Sequence, residues 1–269
     1  MPSIERFGFN APANRPLEET LRWAAAERFF YVDFNADRAP NGLQDFDAAR
    51  VEGVRRLCQE HQLHIGIHTS SAVNNAEIAP YVSEAVDEYL VANLELAQRL
   101  GCEWVIVHGG YHFTDVPRRR EAAVARLQRL HEVAQDRQLP LWFENHNTEP
   151  EHAEIHYIPD DVAELRWFLD ASGLKDSPYF RWSFNAAHAN LVPEGIAGFL
   201  AAFGTSRIAQ VRLTDNNGDY EVHLVPGQGN IDFPALFRRL SELDYTGPFS
   251  LDFGADADKV RIRDSWLTL

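Results

Sequence analysis

Long apolar runs are missing from this chain: no stretch approaches the ~20 residues needed to cross a bilayer, so no membrane-spanning helix is expected. Positive charge is scarce as well. Twenty-five Lys and Arg stand against 40 Asp and Glu, a formal net charge of -15. That balance argues against a nucleic-acid partner, which needs a basic footprint, and against an anionic membrane surface. Cysteine is nearly absent. Cys58 and Cys102 form no metal spacing and read as reduced, packed thiols. The opening MPSIERFGFN has no basic region followed by an apolar stretch, so no signal peptide is expected, and the protein reads as cytoplasmic. A glycine-rich phosphate turn is also lacking after the first strand candidate, which removes the usual mark of a doubly wound open sheet.

What is present is alternation. Strand candidates, short and rich in Val, Ile, Phe and Trp, are Ile4–Asn10, Phe29–Phe34, His64–Thr69, Trp104–His108, Leu139–Glu144, Arg181–Asn185, Ile208–Leu213 and Phe249–Phe253. Amphipathic stretches separate them; Val86, Leu90, Leu94 and Ala97, for example, recur at helical spacing. The last, Ala255–Leu269, is the eighth helix candidate. Eight strand–helix units in 269 residues, with no linker or composition break, predict one (β/α)8 barrel domain over residues 1–269.

In such a barrel the C-terminal strand ends gather on one face. Here those ends carry chemistry: His68, His108, Glu144, Asn185 with His188, Arg212 with Asp215, and Asp252. Glu144 closes the run Leu-Trp-Phe, and a lone carboxylate there needs a partner, a metal or a wet pocket. Its bland reading is a rim salt bridge. His68, His108 and Glu144 fall on successive strands, and two imidazoles with one carboxylate make a common three-ligand set for catalytic zinc. Asn145 and His146 add polar groups beside Glu144, although each also fits a turn.

Asn185-Ala-Ala-His188 reads either as a ligand-side passage or as a helix-capping Asn with an incidental His. Glu221 and His223, two apart, share a face in extended chain and can reach one ion or hydroxyl. The bland reading of Asn216-Asn217-Gly218 is a hairpin turn with polar flanks, and that of Arg212 is a rim pair with Asp215.

The order His-Gly-Gly at His108, Glu144-Asn145, Asn185-x-x-His188-Ala-Asn190, Asp215-x-x-Gly218, then His223-Leu-x-x-Gly-x-Gly-x-Ile-Asp-Phe233, closing on Asp252, resembles the xylose isomerase-like barrel superfamily. The resemblance spans nearly the whole chain. It implies a sugar isomerase, epimerase or related lyase, with an endonuclease IV-like branch beside them. In isomerase-like members it implies a divalent metal held by Glu, Asp, His and Glu from strands five to eight. Glu144 matches that pattern. Asn185 stands for the Asp, Arg212 for the His, and Asp252 for the last Glu. The endonuclease-like branch implies two further sets, His68, His108 and Glu144, and His188, Glu221 and His223, with Glu221 in place of an Asp.

The expectation is therefore a barrel enzyme acting on a small sugar, polyol or sugar phosphate by proton abstraction beside a carbonyl. Glu144 and Asp252 are the acid–base pair; His188, Arg212, Asn145, His146 and Asp215 bind substrate. A divalent ion, zinc or manganese, would be held among His68, His108, Glu144, Asn185, His188, Glu221, His223 and Asp252. Arg212, a guanidinium that cannot ligate, either replaces a central cation or swings out to the substrate. A zinc-dependent hydrolase and a non-catalytic sugar-binding barrel remain as alternatives. Trp142, Trp182, Phe180 and Trp266 are candidates for the pocket or for a contact between copies in a homo-oligomer, with core packing as the default.

Overall fold

The computed structural model describes residues 2–268. In chain order its strands are β1 Phe7–Asn10, β2 Tyr31–Phe34, β3 His64–His68, β4 Trp104–Val107, β5 Tyr111–His112, β6 Leu141–Glu144, β7 His156–Tyr157, β8 Phe180–Asn185, β9 Ile208–Leu213 and β10 Phe249–Leu251. All but β5 and β7 are parallel and close into an eight-stranded barrel, in the order β1-β10-β9-β8-β6-β4-β3-β2, with β1 paired to β10. Chain order and ring order coincide because each crossover is helical, as parallel neighbours require, with two helices, Ala186–Asn190 and Gly195–Phe203, between β8 and β9.

The helices are α1 Leu17–Ala26, α2 Ala48–His61, α3 Pro80–Leu100, α4 Val116–Asp136, α5 Val162–Ser172, α6 Ala186–Asn190, α7 Gly195–Phe203, α8 Phe233–Glu242 and α9 Asp256–Trp266. The seams are set locally. Asp47, Asp161 and Asp232 accept backbone N–H bonds at the starts of α2, α5 and α8. Gly101 and Gly173 end α3 and α5 with positive φ. On α3, Val86, Leu90, Leu94 and Ala97 all turn inward. The eight barrel strands are buried on both faces, inside the ring and beneath the helices.

Three local features depart from the sequence expectation. Ile4–Arg6 forms a 3-10 turn before β1. The two-residue strands β5 and β7 pair antiparallel in a small sheet of their own. Directly after β8, Asn185 opens the five-residue helix α6. Trp142, Trp182, Phe180 and Trp266 are all buried, and none lines the cavity at the strand ends. None of the described helices is long and apolar enough to cross a membrane.

Candidate active site

A cavity of about 220 Å³ opens at the C-terminal ends of the strands. His68, His108, Glu144, His146, Asn185, His188, Glu221, His223 and Asp252 line it, joined by Asn10, Asn35 and Tyr157. Residues as distant in sequence as Asn10 and Asp252 thus meet because consecutive strands end on one rim.

Two neutral imidazoles and a carboxylate form one corner. His68 Nε2 lies 3.3 Å from His108 Nε2 and 3.3 Å from Glu144 Oε2. His108 Nε2 lies 4.0 Å from the same oxygen. Among the described residues, this is the group whose ligand atoms all fall within 4.8 Å of one another. Zinc bonds of ~2.0–2.2 Å in a tetrahedron space their donors by ~3.3–3.6 Å, so two edges fit already and the third needs a small closure. Burial holds both rings neutral, pulling His68 well below its ordinary value and His108 down to about 4. Neutral imidazole is the ligating form. Glu144 Oε2 is buried and accepts no hydrogen bond, which leaves its lone pairs free to ligate.

The second set is linked differently. Glu221 Oε1 joins His188 Nε2 at 3.1 Å and His223 Nε2 at 3.5 Å. The other ring nitrogens donate to carbonyls, His188 to Asn145 and His223 to Asp252. Rings that donate from both nitrogens are imidazolium. Burial opposes that for His188, yet Glu221, Glu144 and the Asn145 carbonyl carry it above its ordinary value. The Glu221 bond brings His223 up to about 9, and the two rings hold the Glu221 carboxyl far down. His188, Glu221 and His223 thus form an ion-paired chain along the wall.

At the centre stands Arg212, with almost no exposed surface. Its guanidinium donates to Asp33 Oδ2 at 2.8 Å and to Asp252 Oδ2 at 2.8 Å, and its Nε lies 3.2 Å from Glu144 Oε2. Burial would raise the Asp252 carboxyl, but Arg212 and then His223 hold it below its ordinary value. The surrounding carboxylates push Arg212 further up.

Three expectations need correction. Asn185 cannot offer its oxygen to a metal. Its Oδ1 accepts from the N–H groups of Ala187 and His188, and its amide donates to Glu144 Oε1 at 2.9 Å. A four-ligand centre through Asn185 and Arg212 therefore does not fit these side chains. Asp215 does not line the cavity and does not pair with Arg212. It is fully buried and accepts from the N–H groups of Gly227, Gly229 and Ile231, tying down the loop before α8. Asn145 is also a brace, exchanging two hydrogen bonds with the Asn185 backbone. His146 does face the cavity, stacked on Tyr157 with centroids 4.2 Å apart.

Sequence reasoning passed over Asp33, Asn10, Asn35 and Tyr157. The signal for Asp33 was available: a carboxylate in the apolar run Tyr-Val-Asp-Phe, the same signal that marks Glu144.

A family model described as xylose isomerase-like TIM barrel matches residues 21–267. The chain belongs to that family. It is 26% identical over 203 residues to the L-ribulose 3-epimerase of Methylomonas sp. (strain DH-1), covering 73% of this chain and 66% of that protein. The fold is shared with a D-tagatose 3-epimerase-like protein at TM-score 0.82 and 22% identity, over 98% of this chain and 96% of that one. Endonuclease IV from Thermus thermophilus shares it at TM-score 0.73 and 22% identity, over 98% and 99%.

Proposed function

We propose that the protein is a keto-sugar epimerase or isomerase that moves a proton at the carbon beside a carbonyl. One observation carries this reading: Glu144 and Asp252 enter the same cavity from different strands, and one fixed guanidinium touches both. Epimerisation needs a base on one face of the substrate and a proton donor on the other, which two carboxyl groups with separated environments supply. Asp252, kept ionised by Arg212 and His223, suits the base. As the C–H electron pair moves into the new C=C bond, charge develops on the carbonyl oxygen, and the positive charge of Arg212 just beneath the cavity would stabilise it.

The remaining wall suits a polyhydroxylated molecule. Asn10, Asn35 and Glu221 offer hydrogen bonds, and the Tyr157 ring gives an apolar face. A cavity of about 220 Å³ holds one small sugar. The curated L-ribulose 3-epimerase relative supports this substrate class. His68, His108 and Glu144 would hold the divalent ion, zinc or manganese, which when bound polarises a carbonyl as a Lewis acid.

The test is deuterium incorporation from D2O beside the carbonyl of ketohexoses and ketopentoses, followed by NMR with added zinc or manganese. Exchange is expected, reduced roughly 10²–10⁴-fold in Glu144→Gln and in Asp252→Asn. Metal-dependent cleavage of a phosphodiester, with no exchange from any sugar, would overturn the reading in favour of a hydrolase.

A further inference from the structure

Below the cavity, in the interior of the barrel, lies a carboxylate that does not line the site. Asp33 on β2 is 1% exposed. Its Oδ1 accepts the Trp104 indole N–H at 2.7 Å, and its Oδ2 accepts from Arg212 at 2.8 Å, Ser250 Oγ at 3.1 Å and Gln210 Nε2 at 3.2 Å. The donors come from β4, β9 and β10, on both sides of the ring. A buried charge persists only when paired and fully hydrogen-bonded, and Asp33 is both. Burial raises its carboxyl above the ordinary value, and Arg212 with the three neutral donors opposes that rise. Space is cleared for the arrangement: Gly66 on β3 leaves room for the indole, since a Cβ there would stand 1.9 Å from Trp104 Nε1.

The consequence falls on Arg212. A guanidinium is planar, so anchoring two of its nitrogens fixes the third edge. One end is on Asp33 and the other on Asp252, which leaves Nε facing Glu144 Oε2 across 3.2 Å. Neither that Nε nor that Oε2 has a hydrogen-bond partner of good geometry.

We propose that Asp33 is a positioning residue that pins Arg212 as the permanent cation between Glu144 and Asp252, so that this arginine is a fixed electrostatic element and not a swinging substrate arm. The proposal rests on the proton-transfer reading for its effect on rate; the pinning itself does not depend on it.

Two measurements test it. In protein labelled with 15N-arginine, a pinned Arg212 gives separate Nη proton resonances, because rotation about Nε–Cζ is arrested. Averaged resonances in the unmodified protein overturn the proposal. The second is a cycle of Asp33→Asn, Arg212→Lys and the double variant, followed by sugar deuterium exchange. Asp33→Asn is expected to lower kcat 10- to 100-fold with KM within twofold. The double variant should be no slower than Arg212→Lys alone, because Asp33 acts through that side chain. Losses that multiply in the double variant, or an unchanged kcat in Asp33→Asn, overturn it. Absence of exchange from the unmodified protein would sink the proposed function, and the pinning would then stand or fall on the arginine spectrum.

Discussion

The Nε2 atoms of His68 and His108 face each other across 3.3 Å. Two neutral imidazoles so placed share one proton poorly and one cation well. Zinc or manganese is therefore expected to bind at one ion per chain and to stabilise the folded state. At a hundredfold excess over Kd the gain is about 2.7 kcal/mol, roughly 5–10 °C in Tm for a chain of this size. Elemental analysis and thermal melts with and without chelator check this. His108→Ala should abolish the shift. An unmodified protein that shows neither metal nor a shift would remove the site.

Glu144 and Arg212 should differ sharply in their value to stability. Three carboxylates, Asp33, Glu144 and Asp252, surround one guanidinium. Removing one of them leaves Arg212 paired and relieves like-charge repulsion. Glu144→Gln should therefore change stability by less than about 1 kcal/mol while costing activity. Removing the guanidinium leaves Asp33 without a charged partner and brings three acids face to face, and Arg212→Met should cost more than about 3 kcal/mol. Urea unfolding of both variants decides; equal losses would contradict the arrangement.

The parts of this site legible in the sequence are those encoded by strand ends. Glu144, His68 and His108 each close an apolar run, and a barrel gathers run ends whatever their loops do. The illegible parts depend on which way a short polar side chain turns. Asn185 sits where a ligand would, but α6 begins one residue later and its N–H groups claim the amide oxygen. Asp215 follows its strand by two residues, where Glu144 is the last residue of its own, and the N–H groups at Gly227 and Gly229 draw it into the loop. Strands of two residues, such as β5 and β7, are too short to leave a periodic pattern. The capping of α6 by Asn185 is local and is one of the two readings its sequence allows, whereas Asp215 is claimed by backbone 12 to 14 residues away, which no local pattern announces.

In metal-free protein, stability should peak near pH 6.5. His68, His108 and His146 have lowered values through burial. They resist protonation when folded, so the unfolded chain gains protons and stability falls as pH drops below ~6.5. For His108, a fall from 6.5 to about 4 amounts to ~3 kcal/mol once pH is below 4. His188 and His223 have raised values, so their contribution is full below ~6.5 and is lost as pH rises through about 9 for His223. That limb should be shallow, because His223 is partly exposed and its ion pair is screened. Chemical denaturation across pH checks this: His108→Asn should flatten the acid limb and His223→Gln the alkaline one. A profile unmoved by either would refute the assignment.

Gly66 and Gly53 make a matched pair for the barrel interior. A methyl at Gly66 would meet Trp104 Nε1 at 1.9 Å and Cε2 at 2.1 Å. The indole cannot retreat, because it is stacked on Trp142 with centroids 4.3 Å apart and tied to Asp33 at 2.7 Å. Gly66→Ala should therefore cost about 3 kcal/mol or more, through overpacking and a broken bond to a buried carboxylate. Tryptophan emission should shift as the stack is disturbed. At Gly53, inside α2, an added Cβ meets nothing within 4 Å, and Gly53→Ala should stabilise by roughly 0.5–1 kcal/mol. Equal behaviour of the two variants in thermal melts would mean that Trp104 is free to move, and that the floor beneath Arg212 is not rigid.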